Sequence, residues 1–155
     1  MRKRIVATVL ALCLVLGLVP GTAWAADVPT SGTCGKNATW SLSGGTLTIS
    51  GSGPMDNYAL DNYDSLAPWD NQRKSITSVV IDNGITSIGD YAFRECDSLT
   101  SANIPDSVIS IGFSAFTNCS NLTSITIPDS VSSIGNNSLT GRRRLTNITI
   151  AYSVT

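Results

Sequence analysis

The fold is decided by the stretch Asn121–Arg143, which has the sequence NLTSITIPDSVSSIGNNSLTGRR. Two preceding segments repeat its pattern without insertions: Ser75–Asp97 (SITSVVIDNGITSIGDYAFRECD) and Ser98–Ser120 (SLTSANIPDSVISIGFSAFTNCS). Arg144–Thr155 (RLTNITIAYSVT) begins the pattern again, so the period is 23 residues. A unit of this size is too small to bury its own apolar side chains. A fixed period of this length therefore indicates a repeat protein whose units stack on one another.

Matching positions of the units form columns of similar residues. Units stacked about 5 Å apart, the spacing of strands in a sheet, would turn these columns into one continuous core. The most regular columns are Ile76, Leu99, Leu122 and Leu145; Ile81, Ile104, Ile127 and Ile150; Gly89, Gly112 and Gly135; and Phe93, Phe116 and Leu139.

Each unit also contains one predicted strand. Ile125 and Ile127 alternate with polar residues, which is the period of a half-buried strand. Pro105 and Pro128 then end their strands, because proline cannot donate to the hydrogen-bond ladder. We therefore predict a β-solenoid with parallel strands near Ser78–Ile81, Ser101–Ile104, Ser124–Ile127 and Asn147–Ile150.

The return side of each unit follows the predicted strand. Val131 and Ile134 begin it, and Gly135 is expected to permit a turn with positive φ. Ala115-Phe116 is expected to form a short helical or irregular stretch that closes the unit, with Phe116 as a buried aromatic plug.

The pattern LTSITIPDSVSSIG, followed in the first two units by Ala-Phe and a cysteine, resembles the BspA-like, Treponema pallidum-type class of leucine-rich repeats. The resemblance covers Ser75–Thr155 and, more loosely, Gly32–Lys74. It implies a leucine-rich-repeat β-solenoid in a bacterial surface or secreted protein, with a role in adhesion or host interaction. The third unit departs from the pattern, since it has Ser138-Leu139 in place of Ala-Phe.

Residues 1–25 have the layout of a secretory signal peptide. Basic residues 2–4 precede the apolar run Ile5–Val19, and Ala23-Trp24-Ala25 supplies the small residues of a cleavage site. The alternative is a membrane anchor, but the apolar run is shorter than the ~20 residues that span a bilayer. We therefore expect a secreted or cell-surface protein with no membrane span after cleavage.

Removal of the leader leaves a mildly acidic chain. Three of the ten basic residues lie in the leader, so seven remain against 11 acidic residues, a net charge of −4. Phosphate contacts need clustered Lys and Arg, and we therefore expect no nucleic-acid partner.

Residues 26–74 are predicted to form an N-terminal cap, ahead of the repeats in 75–155. Thr39–Leu42 and Thr46–Ile49 are short alternating runs on either side of Ser43-Gly44-Gly45, a pattern typical of a β-hairpin. A terminal unit with a polar outer face would shield the core of the first repeat from water. Trp69 is the expected apolar plug of this region.

The sequence contains no histidine, which excludes Ser-His-Asp and Cys-His catalysis and the common histidine zinc sites. An acidic loop in the predicted cap leaves two alternatives open. Its carboxylates could bind calcium, or two of them could act as the acid pair of a glycosidase. We favour a solvated loop, and predict no catalytic residue, cofactor or metal. The acidic residues are Asp56, Asp61, Asp64 and Asp70.

Cys96 and Cys119 occupy one column, at a spacing within disulfide range. Stacked side chains point in parallel rather than at each other, which favours two buried thiols. Cys34 lies in the predicted cap, and no partner for it is evident.

The alternate, outward positions of the predicted strands form a candidate partner-binding face. Hydroxyls and amides at these positions could bridge neighbouring units, or could present a flat polar surface to a partner. The residues are Ser78, Val80, Ser101, Asn103, Ser124, Thr126, Asn147 and Thr149.

Three functional hypotheses follow. The first is an exported or cell-surface binding module for a protein or glycan ligand. The second is a structural spacer at the N-terminus of a larger secreted protein, and the third is a carbohydrate-active enzyme that uses the acidic loop. The absence of histidine ranks the third last. We also expect self-association through the C-terminal edge, near Ile148–Ile150, where strand backbone groups would be unpaired.

Overall fold

The structure, a computed structural model, describes residues 28–61, 65–141 and 144–150. The predicted signal peptide lies outside the described residues. The described part contains a seven-stranded sheet, in which the strands lie in the order β1-β2-β3-β5-β7-β9-β11. Its strands are β1 (Ser31–Thr33), β2 (Ala38–Ser43), β3 (Thr46–Gly51), β5 (Ser78–Ile81), β7 (Ser101–Asn103), β9 (Ser124–Ile127) and β11 (Asn147–Ile150).

The strands of the repeats are parallel and in register. Ser101 lies opposite Ser78 on one side and Ser124 on the other, and Asn147 lies opposite Ser124. Each pairing therefore joins residues 23 positions apart. The parallel strands occupy their predicted positions, except that β7 ends at Asn103.

The N-terminal strands join the same sheet. β2 and β3 pair antiparallel through a two-residue turn at Gly44 and Gly45, whose φ angles are 55° and 82°. Positive φ at both positions is what a tight hairpin turn requires, and glycine adopts it without strain. β3 then pairs in parallel with β5, with Thr46 opposite Ser78, so the hairpin continues directly into the repeats.

A second sheet covers the other side of the units. It has the order β10-β8-β6-β4 among the described strands, and all its pairings are parallel. Sequence analysis predicted no strands on this side. The strands are β4 (Gly53–Pro54), β6 (Ile85–Ile88), β8 (Ser110–Ile111) and β10 (Ser133–Ile134).

A row of aromatic rings runs through the core along the stacking direction. Phe93 and Phe116 are fully buried, as predicted, with ring centroids 5.0 Å apart. Trp69 extends the row in the N-terminal direction, stacked on Phe93 at 5.8 Å, and its indole Nε1 donates to the Ala92 carbonyl. Trp40 packs edge-on against Trp69 at 5.6 Å. The N-terminal region and the repeats therefore share one core.

The glycine column has a different cause from the one predicted. The φ angles of Gly89, Gly112 and Gly135 are not positive, so the expectation of a positive-φ turn at Gly135 is wrong. A Cβ on Gly135 would lie 2.6 Å from the carbonyl carbon of Gly112, and one on Gly112 would lie 2.7 Å from that of Gly89. Glycine is needed because successive units approach each other backbone to backbone at this point.

Left-handed backbone occurs in two columns on the turns that follow. Tyr91, Ser114 and Asn137 have φ of 55°, 51° and 59° and recur every 23 residues. These turns are linked by hydrogen bonds between units, such as those from the Phe93 N–H to the Ala115 carbonyl and from the Phe116 N–H to the Ser138 carbonyl. The second column, with φ of 54°, 60° and 75°, is Glu95, Asn118 and Gly141.

The cysteines of the described part are buried and form no disulfide. Cys119 Sγ donates to the Phe93 carbonyl at 3.1 Å. Burial, together with the neighbouring Cys119, raises the pKa of the Cys96 thiol above its usual range. The prediction of thiols rather than a disulfide in this column is therefore confirmed. Within the described residues, no helix is long and apolar enough to cross a membrane.

Candidate functional site

The candidate partner-binding face lies on the outer surface of the seven-stranded sheet. Ser101, Asn103, Ser124 and Thr126 are exposed, whereas Ser78 and Val80 are half-buried. Asn147 lies in register with Ser124, and Thr149 with Thr126. The structure therefore brings the predicted residues onto neighbouring strands of one sheet.

The face extends beyond the residues that sequence analysis selected. Thr46 of β3 lies opposite Ser78, and Thr48 lies opposite Val80. On the other side of β3, Ser43 pairs with Thr46 and Ser41 pairs with Thr48. The alternation of Ser and Thr in the predicted hairpin was the available signal. What the sequence alone did not reveal is that β3 pairs with β5 and aligns the two surfaces.

Hydrogen bonds between units come from a different column. Thr100 Oγ1 donates to the Thr77 carbonyl at 3.0 Å, Thr123 Oγ1 to the Thr100 carbonyl at 3.2 Å, and Thr146 Oγ1 to the Thr123 carbonyl at 3.3 Å. In the described part of the chain, by contrast, the side chains of the exposed face residues make no hydrogen bond. These residues are Ser101, Asn103, Ser124 and Thr126.

Acidic residues border the face where the strands end. Asp82 follows β5 and accepts a hydrogen bond from Ser50 Oγ at 2.7 Å. Asp106 and Asn103 line an open depression of about 430 Å³ at this border, together with Asp82. The face residues themselves are uncharged, and Asp82 and Asp106 place two carboxylates along this margin.

The acidic loop of the N-terminal region has a structural role. Asp70 pairs with Arg73 at 2.7 Å in the 3₁₀ helix Asp70–Ser75. Asp64 lies outside the described residues, and within them no three His, Cys, Asp or Glu side chains form a group that could hold a metal ion. The loop also adds a layer below the first repeat, where the Tyr58 N–H donates to the Asp90 carbonyl.

A second open site lies on the four-stranded sheet. It is a groove of about 490 Å³ whose floor includes a row of serines in register, Ser87, Ser110 and Ser133. Phe113, which is 38% exposed, stands on its rim beside Asp90. Sequence analysis did not select this groove. Its signal was Phe113 itself, an aromatic residue at a position that is polar in the neighbouring units.

Comparison with known proteins gives one family match. Residues 71–155, more than half of the chain, match the family described as BspA-type leucine-rich repeat region (6 copies). The comparison with curated proteins gives no match.

Several solved structures are similar. A leucine-rich repeat protein of Eubacterium ventriosum has a TM-score of 0.53 and 25% identity, over 77% of this chain and 44% of that chain. A leucine-rich repeat protein of Bacteroides capillosus has a TM-score of 0.48 and 24% identity, over 78% of this chain and 98% of that chain. A leucine-rich cell surface protein of Faecalibacterium prausnitzii has a TM-score of 0.42 and 25% identity, over 84% of this chain and 45% of that chain. The chain thus spans less than half the length of the first and third proteins.

Proposed function

The chain belongs to the family of BspA-type leucine-rich repeat proteins, and from this membership we propose that it is an exported binding module. Its partner is a protein or glycan at the cell exterior, and the binding surface is the outer face of the seven-stranded sheet. The module binds without catalysing a reaction. This outer face, the candidate partner-binding face, is called the polar face below. It is the main support for the proposal, because its exposed hydroxyl and amide groups make no hydrogen bond within the described structure.

The state of these groups is the main support. A side chain that serves only to link units would be hydrogen-bonded to the next unit, as Thr100 and Thr123 are. Ser101, Ser124 and Thr126 are exposed and make no such bond in the described part of the chain. A partner can therefore reach them without breaking an internal contact, and the sheet beneath holds them in fixed positions. Preorganised groups bind with less loss of conformational entropy.

The scaffold that presents the face is, in this proposal, a β-solenoid of 23-residue coils with an N-terminal cap. The constant offset between β5, β7 and β9 supports the coil length. Support for the cap comes from Trp69, which stacks on Phe93 and covers the aromatic end of the first repeat. The cap also supplies a strand to each sheet, β3 and β4, so both ladders begin before the first repeat.

The proposed export rests on the leader. Cleavage after Ala25 would leave Ala26 as the first residue of the exported protein. The test is to express the full chain in a bacterium with a fluorescent or epitope tag and to sequence the N-terminus of the protein recovered outside the cytoplasm. Retention of residues 1–25, or failure to leave the cytoplasm, would contradict the proposal.

The binding test uses a panel of immobilised extracellular-matrix proteins and mucins. The variant Ser101→Arg with Ser124→Arg places two cations on the face. We expect this variant to lose binding to every panel member that the unmodified protein binds. The matched control, Ser52→Arg with Asn71→Arg, adds the same charge at two exposed positions outside the face. Equal binding by both double variants would contradict the assignment of the face.

A further inference from the structure

The groove on the four-stranded sheet is a candidate site separate from the polar face. Four residues on its rim, Asn57, Asp90, Phe113 and Asn136, follow one another along the stacking direction, each one layer from the next. The backbone pairings give this order: β6, β8 and β10 are in register, and Asn57 Oδ1 accepts the backbone N–H of Asp90 at 3.0 Å. Strand spacing therefore sets about 5 Å between neighbours in the row.

Phe113 is the exceptional member of this row. Its neighbours Asp90 and Asn136 are polar, yet Phe113 presents 38% of its surface to solvent. Tyr91 packs against it at 5.3 Å in an edge-to-face arrangement, which holds the ring in place. A ligand that packs on this ring would remove its apolar surface from water, which stabilises the complex.

Polar groups lie on both sides of the ring. Asp90 Oδ1 accepts the Phe113 backbone N–H at 2.7 Å, which fixes the carboxylate and leaves Oδ2 for another donor. Asn136 lies one layer away on the other side. Within the described residues, the side chains of Ser110 and Ser133 make no hydrogen bond, so their hydroxyls are also available to a ligand.

We propose that this groove binds a neutral sugar residue of a glycan, seated on the ring of Phe113. One face of a pyranose ring carries C–H groups that pack against an aromatic ring, while its hydroxyls need hydrogen-bond partners around the rim. Asp90 accepts from one side of the sugar, and Asn136 and the serine hydroxyls serve the other side and the floor. The groove volume of about 490 Å³ lies within the ~300–1,000 Å³ usual for small-ligand sites.

The charge of the site selects the class of sugar. Asp90 is an acidic group on the rim, and among the described residues no Lys or Arg lines the groove. A sialic or uronic acid would therefore meet like charge, whereas the hydroxyls of a neutral hexose or N-acetylhexosamine suit a carboxylate acceptor. The groove and the polar face lie on different sheets and offer different ligand contacts, so binding at each can be tested independently.

The test is binding of the full exported protein to an array of neutral and sialylated oligosaccharides, followed by NMR titration with the neutral glycan that binds best. Phe113→Asn should weaken binding by about tenfold or more, the usual cost of losing a central aromatic contact. This variant keeps the fold, because asparagine already occupies the same position in the next repeat, at Asn136. Phe113→Trp should retain binding.

Two further variants separate the outcomes. Asp90→Asn keeps an oxygen that accepts the Phe113 N–H, and it should weaken binding of neutral glycans. Ser52→Arg, at an exposed position outside both the groove and the polar face, should leave glycan binding unchanged. The proposal is overturned if no neutral glycan binds, if only sialylated glycans bind, or if Phe113→Asn binds as well as the unmodified protein.

Discussion

The hydroxyl of Thr123 donates a hydrogen bond of 3.2 Å to the carbonyl oxygen of Thr100, and the backbone N–H of Thr123 donates to the same oxygen. The hydroxyl and backbone N–H of Thr100 likewise both donate to the Thr77 carbonyl. Those of Thr77 both donate to the Gly45 carbonyl in the hairpin turn. A single column of hydrogen bonds thus connects the hairpin to every repeat at the N-terminal ends of the strands.

Removal of one hydroxyl from this column should be measurable. Thr123→Val keeps the branched shape and removes one hydrogen bond, so we expect a loss of about 0.5–1 kcal/mol in the free energy of unfolding. Thr126→Val is the matched control, because Thr126 is an exposed threonine of β9, the strand that begins directly after Thr123, and its side chain makes no hydrogen bond in the described structure. Urea unfolding compares the two. Equal stability of both variants would mean that the side-chain bonds of the column contribute nothing.

The columns of apolar residues predicted most of the repeat architecture. The alternation around Ile125 and Ile127 placed β9 at its observed position, because burial on one face leaves no other register. The aromatic column likewise predicted the burial of Phe93 and Phe116. Stacking of identical units makes such positions readable from one sequence.

Other features depend on contacts that the sequence does not encode locally. The loop around Tyr58 has no repeat pattern, so its pairing with the first repeat appears only in three dimensions. Alternation along the strands identified the polar residues of the candidate face. It could not show that their side chains make no hydrogen bond within the described structure. The groove beside Phe113 was missed because it lies on the side of the unit where the alternation is too short to predict strands.

Gly112 should tolerate no side chain. A Cβ at Gly112 would lie 2.5 Å from the Asp90 backbone nitrogen and 2.7 Å from the Gly89 carbonyl carbon, so Gly112→Ala must push two units apart. We expect a loss of about 3 kcal/mol or more, at the upper end of overpacking effects. Gly44→Ala is the comparison, since its Cβ would meet nothing within 4 Å and only its φ of 55° is unfavourable.

The comparison variant should lose only about 1–2 kcal/mol, the cost of left-handed backbone for an alanine. Thermal unfolding of both proteins distinguishes steric from conformational cost. A Gly112→Ala protein as stable as Gly44→Ala would show that the units can separate freely.

In the second left-handed column, which contains Asn118, glycine should give a more stable protein than alanine. At Asn118, with φ of 60°, we expect Asn118→Gly to be more stable than Asn118→Ala by about 1 kcal/mol. Gly141 already occupies the equivalent position in the next repeat. At Asn103, in the extended strand β7, the order should reverse because glycine weakens a strand. The same order at both sites in denaturant titrations would contradict the assigned conformation of the turn.

Cys34 should make stability depend on alkaline pH. Burial, and to a smaller extent the nearby Asp56 carboxylate, raise the pKa of the Cys34 thiol from 9.0 to about 12. The unfolded chain therefore ionises first, so the stabilisation is complete below about pH 9 and declines as the pH rises toward about 12. Cys34→Ala removes this contribution. We expect the unfolding free energy of the unmodified protein to fall more steeply than that of the variant across this range, and parallel curves would contradict a shifted pKa.

In a protein of residues 26–155, the outer edge of β11 should mediate self-association. β11 pairs with β9 from Asn147 opposite Ser124 to Ile150 opposite Ile127, and no strand of residues 28–61, 65–141 or 144–150 pairs with its other edge. An open edge offers backbone donors and acceptors to another chain. We therefore expect a protein of residues 26–155 to self-associate at tens of micromolar in sedimentation velocity experiments.

A lysine placed on each edge of the seven-stranded sheet tests which edge is responsible. Thr149→Lys puts a charge on β11 and should yield a monomer, because edge lysines oppose pairing with a second chain. Thr33→Lys puts the same charge on β1, at the opposite edge, and should leave the association unchanged. Appending one more unit with the sequence of Ser98–Ser120 and a polar end should also yield a monomer, with a higher melting temperature, since the added strand would cover β11. An unmodified protein that sediments as a monomer, or loss of association in the Thr33→Lys variant instead, would contradict association through β11.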